Sequence, residues 1–93
     1  MRQTQVQKYS IEVFNQQSNC VLTFSHRSRR IKPMSCFLHY SAMCKKILTA
    51  LNIDPNTRYI FEVIEETNRK IYFNLQINRT IFGYMKIEKI LNS

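Results

Sequence analysis

Ile71, Phe73, Leu75 and Ile77 alternate with Tyr72, Asn74 and Gln76. A period of two sends successive side chains to opposite faces of an extended chain, so this stretch calls for a sheet with one face covered and the other left open. No other feature constrains the fold as strongly. Tyr9, Ile11 and Val13 repeat the pattern against Lys8, Ser10 and Glu12. After the polar run 15–19 it resumes with Cys20, Leu22 and Phe24 on one face. Two such runs around a short polar stretch read as a β-hairpin. Residues 58–66 are rich in β-formers (Tyr59, Ile60, Phe61, Val63, Ile64) and apolar on both faces near their centre, as an inner strand would be. Thr67, Asn68 and Arg69 supply the turn that makes 58–77 a second hairpin.

Between the hairpins the period changes. From Cys36 to Leu51, the residues Phe37, Tyr40, Cys44, Ile47, Leu48 and Leu51 fall on one stripe at helical spacing. Pro33 disfavours helix at Lys32, and Ser35 is placed to cap the helix that follows. Asn52 and the Asp54-Pro55-Asn56 turn end it.

The last segment satisfies two periods at once. Ile81, Tyr84, Met85 and Leu91 make a helical stripe with Glu88 interrupting it and Thr80 available as cap. Ile81, Gly83, Met85 and Ile87 alternate as a strand. The helical reading is the one we carry forward for 81–91. The expected fold class is then α+β, in the order ββαββα. An antiparallel sheet of about four strands in two hairpins would carry the helices packed on one face. A chain of 93 residues has room for one such domain, 1–93.

Charge gives the first functional indication. The chain has a formal net charge of +8. Residues 1–53 carry Arg2, Lys8, Arg27, Arg29, Arg30, Lys32, Lys45 and Lys46 against Glu12 alone, whereas in 54–93 bases and acids nearly balance. A positive field gathered on one part of a small domain attracts polyanions. Arg27, Arg29, Arg30 and Lys32 cluster in the connector before the helix, beside His26 and Ser28, and Lys45 and Lys46 on the helix extend the footprint. The planar fork of arginine suits phosphate oxygens. Tyr72 points away from the Ile71/Phe73/Leu75 face, where a ring can stack an unpaired base. The expectation is a non-enzymatic nucleic-acid-binding module using Arg27, Arg29, Arg30, Lys32, Lys45, Lys46 and Tyr72. The alternative is an adaptor or inhibitor that docks these cations on an acidic protein surface or extends a partner's sheet through a strand edge.

Other chemistries lack their residues. The one glycine, Gly83, cannot build a phosphate-cradling loop, and no serine sits in a glycine elbow. Cys36 and His39 have Cys-x-x-His spacing without a second ligand pair, so neither a metal nor another cofactor is expected. Three cysteines at irregular spacing argue against a disulfide framework and for a reducing, cytoplasmic setting. No stretch approaches the ~18 apolar residues of a membrane span, so no membrane partner is expected. The high Asn, Lys and Ile usage suggests an AT-rich coding sequence, as of a mobile element or virus.

Overall fold

The computed structural model describes residues 6–29 and 41–90. Five strands and one helix follow in the order β1 (Gln7–Asn15), β2 (Cys20–Ser28), α1 (Ser41–Ala50), β3 (Tyr59–Glu66), β4 (Lys70–Ile77) and β5 (Thr80–Ile90). All the strands belong to one antiparallel sheet of order β2-β1-β5-β4-β3. The domain is therefore mostly β, and the ββαββα arrangement with helices packed on a four-stranded sheet is overturned.

The decisive difference is β5. Residues 80–90 form the longest strand and lie at the centre of the sheet, between β1 and β4. Ile11 faces Ile87 and Val13 faces Met85 on one side; Ile71 faces Ile87 and Phe73 faces Met85 on the other. As a helix, 81–91 would have left both β1 and β4 with an unpaired backbone edge between the two hairpins. The hydrogen bonds of two ladders outweigh a helical stripe that Glu88 already interrupts.

The core lies on one face of this sheet. Tyr9, Ile11 and Val13 of β1, Ile71, Phe73 and Leu75 of β4, and Met85 and Ile87 of β5 are buried, and Ile47 of α1 joins them. Leu22 and Phe24 of β2 and Tyr59 and Phe61 of β3 pack at the margins of the cluster, half-buried. Full burial of side chains of this size stabilises by about 1.5–3 kcal/mol each, and the three central strands supply most of it. β3 is not an inner strand. It is a sheet edge, and its apolar residues on both faces leave Ile60, Val63 and Ile64 exposed.

Local chemistry ends each element. The Asn15 side-chain oxygen accepts from the backbone N–H of Gln17 and of Asn19, both at 3.0 Å, and closes the β1–β2 loop. Helix α1 stops in a left-handed cap at Asn52 (φ 64°): the Ile53 N–H donates to the Leu48 carbonyl at 2.8 Å and the Asn52 N–H to Thr49 at 3.0 Å. The expected helix residues 36–40 lie outside the described residues. At the β3–β4 turn the Thr67 hydroxyl accepts from the N–H groups of Arg69 and Lys70. Asn78 and Arg79, both at positive φ (52° and 69°), make the two-residue turn into β5.

Candidate functional site

The alternation of β2 sorts the expected cations onto two faces. Leu22, Phe24 and His26 point to the helix side, so Arg27 points to the open side. There Arg27 stands directly opposite Lys8 of β1, and Arg29 follows at the end of the strand; all three are exposed. Val6, Gln7, Lys8 and Arg27 line a shallow cleft of about 290 Å³. Among the described residues, no carboxylate pairs with Lys8, Arg27 or Arg29.

Lys45 and Lys46 are exposed on α1, on the other side of the sheet. The Lys46 ammonium sits 4.6 Å from the centre of the Phe24 ring, a cation–π contact. Burial, reinforced by the nearby Lys46 charge, holds the His26 imidazole below its usual pKa. The cations therefore wrap around the β2 margin instead of forming one plane: Lys8, Arg27 and Arg29 belong to the open face and strand end, Lys45 and Lys46 to the helix face. Arg30 and Lys32 lie outside the described residues, as do Cys36 and His39.

The open face of the sheet carries a second group. Tyr72 of β4 is half-buried there, with the Lys70 ammonium 5.7 Å from its ring centre. Phe14 and Tyr84 stack across the β1–β5 pair, centroids 4.6 Å apart and planes 15° from parallel. Between the rings and the cationic corner, Lys86 bonds Glu12 at 3.0 Å and Glu88 at 3.5 Å. The hydrogen bond to Glu12 raises the Lys86 pKa against the opposing effect of burial. Two carboxylates against one ammonium leave the middle of the face with a net negative charge, so the positive field belongs to the Lys8/Arg27/Arg29 corner.

Sequence reasoning passed over Lys8, Phe14 and Tyr84 as site residues. Phe14 and Tyr84 meet only if 80–90 is a strand, and Lys8 reaches Arg27 only through the hairpin register. On the helix side, the Tyr59 hydroxyl is hydrogen-bonded to the Cys44 sulfur, which with burial pushes the Tyr59 pKa up to about 12. Burial also raises the Cys44 thiol. Among the described residues, no three His, Cys, Asp or Glu side chains converge as metal ligands, and no helix is long and apolar enough to cross a membrane.

These features define a five-stranded antiparallel domain with a cationic corner beside an aromatic sheet face. No protein-family model, curated protein or solved structure matches the chain.

Proposed function

We propose that this domain is a non-enzymatic binder of single-stranded nucleic acid. The observation that carries the reading is the cross-strand pair Lys8–Arg27 with Arg29 beside it, exposed and without carboxylate partners among the described residues. Like charges directly opposite on a sheet repel each other, and a polyanion lying across them removes that cost. A backbone entering at this corner runs along the open face toward Tyr72 and the Phe14/Tyr84 pair, where bases have rings to stack on. Lys45 and Lys46 extend the field around the β2 margin.

The test is fluorescence anisotropy with a labelled single-stranded oligonucleotide over a range of salt. The affinity falls steeply with salt, and replacing Lys8, Arg27 and Arg29 together by alanine lowers the salt slope by about 2, because each phosphate contact on a single strand contributes ~0.7 to it. Tyr72→Ala weakens binding by ~1–3 kcal/mol with little change in slope. An unchanged slope in the triple variant removes the corner from the site. If the folded domain binds no oligonucleotide at low salt but retains an acidic polypeptide, the same cations serve a protein partner instead.

A further inference from the structure

Among the described residues, two strands, β2 and β3, have a neighbour on one side only. Their charges are opposite. β2 holds His26 and Arg27, with Arg29 just beyond, and no acid; β3 holds Glu62, Glu65 and Glu66 and no base. β3 also exposes Ile60 (51%), Val63 (43%) and Ile64 (55%), and β2 exposes Val21 (42%). The core layer is unfinished at both margins: Leu22 and Phe24 at one edge and Phe61 at the other are only half-buried, although all three pack against the core.

We propose that copies of this domain associate head to tail, β3 of one copy against β2 of the next. An antiparallel sheet with an odd number of strands has both edges running the same way, so a copy displaced sideways brings β2 alongside β3 in parallel. Its helix stays on the same side of the joined sheet. Phe61 and Val63 then continue into Leu22 and Phe24 of the neighbouring copy, closing the core layer across the junction. On the open face, Glu62 and Glu65 meet the row that ends in Arg27 and Arg29 of that copy.

The symmetric alternatives are poorer. β3 against β3 gathers the glutamates of both copies, and β2 against β2 gathers the arginines; like charges facing each other across an interface are unfavourable. Unlike edges give a heterologous contact, which does not close on itself. Parallel ladders are slightly weaker per residue than antiparallel ones, and the net charge of +8 opposes approach, so the association is weak and depends on concentration.

Sedimentation equilibrium at ~0.15 M ionic strength, where charges beyond ~8 Å are largely screened, tests this. From micromolar to millimolar protein, the average mass climbs past that of two chains without a plateau. Replacing Ile60 and Ile64, both exposed, with lysine lowers the association constant by about tenfold or more, as removal of apolar contact and introduction of like charge requires. A copy carrying Arg27→Glu and Arg29→Glu does not assemble alone, nor does one carrying Glu62→Arg and Glu65→Arg; mixing the two restores assembly. Circular dichroism confirms that each variant keeps its sheet, and if the Ile60/Ile64 variant does not, the charge-swapped pair decides. A single-chain mass throughout, a mass that stops at two chains, or charge-swapped copies that fail to recover on mixing would overturn the proposal. The outcome is separable from nucleic-acid binding because the Ile60/Ile64 variant and the glutamate-to-arginine variant leave Lys8, Arg27 and Arg29 in place, whereas the Arg27/Arg29 variant touches both surfaces.

Discussion

Replacing Gly83 with alanine separates two effects of opposite sign. Gly83 is buried on β5, directly opposite Asn15 of β1 and Leu75 of β4. Its φ is not in the left-handed region, so an L-residue suits the local backbone. On conformational grounds alone, alanine would stabilise the fold by about 0.4–1 kcal/mol through a less flexible unfolded chain. The contact says the reverse. A Cβ at position 83 would overlap the Phe14 carbonyl oxygen and stand 2.8 Å from the Phe14 carbonyl carbon and 2.9 Å from that of Asn15.

These obstacles are backbone, so no side chain can swing aside; β1 and β5 must move apart where they are paired. Overpacking of this kind costs roughly 1–3 kcal/mol, and a backbone clash belongs at the upper end. Set against the conformational gain, the net loss is about 2 kcal/mol or more. The whole domain is worth only ~5–14 kcal/mol at ordinary stability per residue. For a domain of this length, 2 kcal/mol lowers Tm by about 8–16 °C. Urea unfolding followed by far-ultraviolet circular dichroism measures the loss, and near-ultraviolet signals report the Phe14/Tyr84 stack beside it. If the alanine variant is as stable as the parent or more so, the close approach of the two backbones is not a constraint and the reasoning fails.

Two further outcomes follow from the helix face. His26 sits on that face beside Lys46, in register with Tyr9, and its pKa is lowered in the folded state. As pH falls below the unfolded value of about 6.5, the unfolded chain binds a proton that the folded chain resists, so stability declines between pH 7 and 5. His26→Gln flattens that part of the stability profile, and an unchanged profile would place the pH dependence elsewhere. Cys44 is buried with its thiol pKa raised, whereas Cys20 is exposed. Alkylation at mildly alkaline pH, mapped by mass spectrometry, modifies Cys20 on the order of 100-fold faster than Cys44, which reacts only through opening of the structure. Equal rates would mean that α1 does not hold Cys44 against the sheet.

What the sequence settled by itself was local. Strict alternation in 8–13 and 71–77 assigned Tyr9, Ile11, Val13, Ile71, Phe73 and Leu75 to one face, and all of them are buried there. The two hairpin turns and the end of α1 at Asn52 were written in polar residues whose bonds the structure displays. Periodicity states which way a side chain points and is silent on which strand lies alongside. Residues 81–90 satisfied two periods, and the choice fell to partners far away in the chain: Ile90 pairs with Lys8, and only a strand at that place joins the two hairpins into one sheet. β3 looked like an inner strand because it is apolar on both faces, but its place at the edge depends on β5 taking the centre. The candidate site followed the same division. The cluster of bases near residue 27 was visible as a run, yet it took the pleat of β2 to part Arg27 from Lys46, and the ladder with β1 to set Lys8 beside Arg27. Side-chain direction is a property of neighbouring residues, whereas strand order depends on hydrogen bonds between distant ones, and only the assembled sheet decides it.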